Sequence, residues 1–86
     1  MANYKKTIEK ILSGRSDANI KFNDLYSLLL YLGFEVRIKG SHHIFRKKGV
    51  KEMINIQKDG SKAKPYQIRQ IRTILYEYKL TDEDNG

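Results

Sequence analysis

The sequence has no cysteine, one proline, and no purely apolar run longer than the five residues 28–32. Without thiols, a disulfide scaffold, Cys-ligated zinc, an iron–sulfur site and cysteine nucleophilic catalysis all fall away. The composition suits a reducing cytoplasm, where the protein is expected. A bilayer span needs roughly 20 apolar residues, so no membrane crossing is expected. Residues 1–10 carry three Lys and one Glu with no apolar run behind them, so a secretory signal is not expected either. At 86 residues the chain is one domain, too short to divide cofactor and substrate between two.

Negative charge is also scarce. Ten Asp and Glu face 17 Lys and Arg, leaving a formal net charge of +7. Residues 1–33 hold five basic and three acidic groups, residues 34–79 hold twelve and four, and residues 80–86 hold only the acidic Asp82, Glu83 and Asp84. A positive middle of this kind attracts phosphate backbones through counterion release and speeds the encounter. A well-solvated Lys-rich surface has the same composition. The acidic tail is expected to be disordered.

Apolar residues recur at helical spacing in three places. Tyr4, Ile8, Ile11 and Leu12 predict a helix over residues 3–12, with Asn3 as its cap and Ser13-Gly14 as its stop. A polar connection follows, in which Ile20 and Phe22 are expected to tuck against the body. Leu25, Leu28, Leu29 and Leu32 form the stripe of a second helix, capped by Asn23 and Asp24 and stopped by Gly33.

From Phe34 the period becomes two. Phe34, Val36 and Ile38 alternate with Glu35, Arg37 and Lys39, the pattern of a strand with one face on a core. Gly40-Ser41 turns the chain into a second strand over residues 42–47, whose adjacent Ile44 and Phe45 leave its inward face open. A turn at residues 48–51 leads to a third strand over residues 52–57, with Ile54 and Ile56 on one side. After a polar loop turning at Asp59-Gly60, Pro65 starts a last helix that reaches about residue 79. Ile68, Ile71, Leu75 and Tyr78 form its buried stripe with Ile74 beside it, and Arg69, Arg72 and Glu77 point outward. These elements predict an α+β domain in which helices cover one face of a three-stranded antiparallel sheet. The other face stays open, and its rim holds the basic turns: Lys39, then Arg46-Lys47-Lys48, then Lys58, Lys62 and Lys64.

The only two histidines are adjacent, in Gly40-Ser41-His42-His43. Neighbours on a strand project to opposite faces, and no carboxylate is nearer in sequence than Glu35, so neither a metal nor any other cofactor is expected. One exposed imidazole among phosphate-binding groups suffices for a different reaction. Histidine has an unperturbed pKa of about 6.5, and RNA supplies its own nucleophile, the 2′-hydroxyl. A base that removes that proton lets the oxygen attack phosphorus, while Lys or Arg stabilises the charge that develops. Gly40 lets a phosphate approach the backbone and Ser41 offers it a hydrogen bond. The plainer alternative is two half-exposed strand positions, one wet and one packed. The tyrosines lie mostly at helical positions, where core edges are the expectation rather than base-stacking platforms. Arg69, Arg72 and Lys79 mark either a phosphate contact or a solvated helix face.

The stretch Gly-Phe-Glu-Val-Arg-Ile-Lys-Gly-Ser-His-His-Ile-Phe-Arg, residues 33–46, resembles the hallmark of HicA-type toxins: a glycine-aromatic step into the first strand, then a Gly-Ser-His turn opening the second. Ile54-Asn55-Ile56 is similar to the third strand of that family, and Lys64-Pro65 followed by Ile68, Ile71 and Leu75 to its closing helix, so the likeness spans residues 23–75. It implies a double-stranded-RNA-binding-like fold. It also implies an mRNA interferase, an endoribonuclease acting without a cofactor on mRNA and neutralised by contact with a HicB-type antitoxin. The catalytic histidine of the family is the first after Gly-Ser, which here is His42, and His43 would support it from the opposite side of the strand. Lys39, Gly40, Ser41, Arg46, Lys47, Lys64 and Arg69 are the expected RNA contacts.

Residues 1–22 then form an additional N-terminal helix and connection packed on the same domain, residues 23–79 the RNA-binding and ribonuclease domain, and residues 80–86 the acidic tail. Where many members carry a Pro and a second His, this chain has Gln57-Lys58, and in place of Gly-Thr-Leu it has Tyr66-Gln67-Ile68. The general acid is therefore unassigned. Two further readings fit the same residues: a non-catalytic RNA-binding module of this fold, and a protein-interaction or DNA-associated subunit.

Overall fold

Helix α1, Tyr4–Ser13, buries Ile8 and Ile11 and packs Tyr4 and Leu12 at the margin. Gly14 ends it at φ +71°. The computed structural model describes residues 4–80, so the expected Asn3 cap and residues 81–86 of the tail lie outside the described residues. The connection after α1 contains a 3-10 turn, Asp17–Asn19, and drops Ile20 and Phe22 into the core as expected.

Helix α2, Phe22–Tyr31, starts before its expected caps: Lys21, in extended conformation, is the N-cap, and Asn23 and Asp24 lie inside the first turn. Tertiary contacts decide this. Phe22 is buried with Leu25, Leu28 and Leu29, and its N–H donates to the Ser61 carbonyl at 3.0 Å. Asp24 still complements the helix dipole. Gly33 stops the helix at φ +98°, and the Phe34 N–H bonds back to the Leu29 carbonyl at 3.0 Å, satisfying one of its last acceptors.

Strands β1 (Glu35–Lys39), β2 (His42–Arg46) and β3 (Ile54–Ile56) form an antiparallel sheet in that order. Val36 pairs with Phe45 and Lys39 with His42; across the other ladder His43 pairs with Ile56 and Phe45 with Ile54. Because side chains alternate, Phe45, Ile54 and Ile56 share the covered face, all fully buried, while Ile44 and Asn55 share the open one. The inward face of β2 is therefore the one carrying His43 and Phe45. Burial fades along the edge strand β1, from Phe34 through half-buried Val36 to Ile38, which is 56% exposed. The expected inward face thus runs out at Ile38, where the helical layer ends.

The polar loop holds a small hairpin, β4 (Lys58–Asp59) and β5 (Lys62–Ala63), turning at Gly60-Ser61. Ala63 is buried and its N–H bonds the Ile20 carbonyl at 3.0 Å. Helix α3, Pro65–Glu77, buries Ile68, Ile71, Ile74 and Leu75, and one contiguous core joins all three helices to the covered sheet face. Leu80 packs on that core rather than starting a free tail.

Arg72 does not point to solvent as expected. It is half-buried, pairs with both carboxylate oxygens of Asp17 at 2.9 and 3.0 Å, and donates to the Ile11 carbonyl at 2.9 Å. These bonds tie the N-terminal segment to α3. The Arg72 guanidinium holds the Asp17 carboxyl below its ordinary value, with Arg69 adding a weaker attraction.

Candidate functional site

The turn between β1 and β2 has two residues, with Gly40 at φ +57° and Ser41 outside the left-handed region. That is the pattern of a type II′ hairpin, whose twist suits antiparallel strands. It places His42 at the start of β2, exposed on the open face and directly opposite Lys39.

Two amides from the β3 side reach the imidazole. Asn55 Oδ1 lies 3.2 Å from Nδ1. Gln57 Nε2 donates to Ser41 Oγ at 3.3 Å and lies 3.5 Å from His42 Nε2. Gln57 is itself tethered, because its backbone N–H donates to Oε1 of Gln67, a buried side chain in the first turn of α3, at 3.4 Å. The alternation of the third strand sets Asn55 and Gln57 on the side opposite Ile54 and Ile56, but does not connect them to His42. The strand period was the available signal; the pairing register that brings them to the ring was not.

His43 occupies the opposite face. Its ring sits edge-on to Phe22 at 4.8 Å between centroids and to Tyr26 at 5.8 Å, and Nδ1 is buried without a hydrogen-bond partner. It packs beneath the strand that carries His42.

The expected cationic contacts fall into separate places. Lys39 is beside His42, and Gly40 leaves open space, since an added Cβ would meet nothing within 4 Å. Lys64 immediately precedes α3, at the end of the molecule where Gln57 and α3 meet. Arg46 ends β2, about 13 Å from His42 at the usual strand rise, and Lys47 follows it. There they line an open groove of about 420 Å³ with Lys48 and Lys51, tempered by Glu35 and Glu52. The Lys47 ammonium turns back toward Gly33 at the end of α2, a position that suits the negative pole of the helix. One groove wall is pinned to α3: the Tyr78 hydroxyl donates to the Glu52 carboxylate at 2.7 Å and accepts the Lys51 N–H at 3.2 Å. That hydroxyl lowers the Glu52 carboxyl, and the carboxylate in turn raises the Tyr78 phenol. Arg69 is exposed on α3 near Asp17, in the helical layer and not on the open face.

Among the described residues no group of three or more His, Asp or Glu side chains is placed to hold a metal ion. None of their helices is long and apolar enough to cross a membrane.

No curated protein and no solved structure matches the chain. A family profile described as the HicA toxin of bacterial toxin-antitoxin systems matches residues 22–77. The match takes in α2, every strand and α3, and so everything that builds the open face around His42; α1 and the 3-10 turn fall outside it. With well over half of its length inside that match and the α+β architecture in agreement, the chain belongs to the HicA family of toxins from bacterial toxin–antitoxin pairs.

Proposed function

We propose that this toxin is an endoribonuclease that cleaves mRNA through the RNA's own 2′-hydroxyl, with His42 as general base and no cofactor. The observation that carries the reading is the setting of His42: an exposed imidazole on a helix-free sheet face, with Nε2 at the Ser41–Gln57 corner and Lys39 opposite. His42 takes the 2′-hydroxyl proton and the 2′-oxygen attacks phosphorus. The P–O5′ bond then breaks, and the departing oxygen takes a proton from solvent. The products are a 2′,3′-cyclic phosphate and a 5′-hydroxyl. Ser41 and Gln57 donate hydrogen bonds to the phosphoryl oxygens, Lys39 balances their charge, and Gly40 leaves room for them.

Arg46, about 13 Å farther along β2, and Lys48 and Lys51 in the turn beyond it hold a phosphate farther along the strand, with Lys47 beside them and Lys64 flanking the His42 end. Arg69 lies outside this path. Family membership implies an antitoxin partner, and a HicB-type antitoxin covering the open face would mask His42 and the groove together.

The test is incubation of the purified protein with single-stranded RNA in EDTA beside His42→Ala. A general base contributes about 10²–10⁴-fold, so the variant is expected to lose that much. RNA retention by both proteins with no products from either would favour a binding module of the same fold. The observation on that side is that the side chains reaching the His42 ring nitrogens are amides, Asn55 and Gln57, and neither is an acid or a base.

A further inference from the structure

A neutral imidazole carries one N–H and can hold it on either ring nitrogen. The two amides at His42 require the same choice. Asn55 Oδ1 only accepts, so Nδ1, 3.2 Å away, bears the hydrogen. Gln57 Nε2 only donates, so Nε2, 3.5 Å away, presents its lone pair. The second contact is long and is readily given up to a substrate hydroxyl. The Gln57 amide is oriented independently of the ring, by its donation to Ser41 Oγ at 3.3 Å.

We infer that Asn55 is the positioning residue that holds His42 in its Nδ1–H form, leaving Nε2 as the proton acceptor at the Ser41–Gln57 corner. The inference rests on the reading of His42 as the base. An amide, unlike a carboxylate, fixes the ring without placing a negative charge beside an RNA phosphate. The charged groups nearest His42 on the open face are cations, Lys39 opposite it and Arg37 on β1; Glu35 and Arg46 are paired at the far end of that face, and from the β3 side come only the neutral amides Asn55 and, one residue past the strand, Gln57. The role belongs to this chain's own third strand, where two amides on alternate residues take both sides of one ring.

The experiment is ¹⁵N NMR of the histidine ring, with RNA cleavage against pH, for the parent, Asn55→Ala and Asn55→Asp. Asn55 is exposed, so both variants keep the fold. The parent ring is expected to carry its proton on Nδ1 above its titration. In Asn55→Ala the ring relaxes toward the Nε2–H form favoured by free histidine, and kcat falls at least about tenfold with KM little changed. Asn55→Asp keeps the Nδ1–H form but sets an opposite charge against the ring, moving the acid limb of the pH–rate profile up by about one unit or more. A parent ring protonated on Nε2, or an Asn55→Ala ring and profile identical to the parent's, overturns the inference. The NMR readout needs no RNA. The predicted tautomer shift without any cleavage therefore supports the positioning role and sinks the nuclease reading, while cleavage without the shift does the reverse.

Discussion

Replacing Asp17 by Asn removes one charge from the clasp between the N-terminal segment and α3. The carboxylate accepts from both Nη atoms of Arg72, at 2.9 and 3.0 Å. With side-chain exposures of 21% for Arg72 and 16% for Asp17 the pair is mostly covered. Asn keeps one acceptor, so the variant loses one charge-assisted bond. Such a bond is worth about 1.5–3 kcal/mol when protected and under about 1 kcal/mol in open solvent. The expected loss near pH 7 is therefore about 1–1.5 kcal/mol. At about 4–8 °C per kcal/mol for a domain of this size, the thermal midpoint falls by roughly 5–10 °C.

The pH dependence has a definite sign. Arg72 holds the folded-state carboxyl below its ordinary 3.8, so the stabilisation is complete above that value, declines as pH falls through it, and is gone below the folded-state value. Urea denaturation of parent and Asp17→Asn near pH 7 and near pH 2 measures the difference directly. It should be full at the first and smaller at the second, where protons compete with Arg72 for the carboxylate. No difference near pH 7, or the same difference at both, would refute the reasoning.

Tyr78→Phe removes the hydroxyl that donates to Glu52, so the Glu52 carboxyl should move up toward its ordinary 4.5 in an NMR titration; no movement would show that the bond is not made in solution. Gly33→Ala puts a side chain at φ +98° and should cost about 1–2 kcal/mol in urea denaturation. Its Cβ would lie 2.7 Å from the Lys47 ammonium, a flexible tip that moves aside, so a neutral effect would contradict the backbone argument. Lys48→Ala with Lys51→Ala should weaken RNA binding and flatten the slope of log K against log salt by about 0.7 per lost phosphate contact. An unchanged slope would remove the groove from the RNA path.

Local spacing made much of the scaffold legible. The stripe Leu25, Leu28, Leu29, Leu32 closing on Gly33, and the alternation from Phe34 through the Gly40-Ser41 turn, each depend on residues close in sequence, and the α2–β1–β2 order follows from them. Features that depend on distant partners were not legible. Arg72 carries a helix-surface spacing, yet it turns to Asp17, 55 residues away. Lys21 rather than Asn23 caps α2 because Phe22 has a place in the core. The β4–β5 ladder is too short to have a period. At the candidate site, Gly40-Ser41-His42-His43 was visible as a motif, but its amides were not. Asn55 and Gln57 reach the ring only because β3 pairs with β2 in one register, and a slip of one residue would turn both away.

Cleavage through the RNA's own 2′-hydroxyl is tested most directly by giving the parent protein and His42→Ala two oligonucleotides in EDTA, one all-RNA and one with 2′-deoxy sugars throughout. The prediction is that the parent cuts only the RNA, leaving 2′,3′-cyclic phosphate ends, and that His42→Ala cuts neither at a comparable rate. Cutting of the deoxy oligonucleotide by the parent, or undiminished cutting of RNA by His42→Ala, would contradict it.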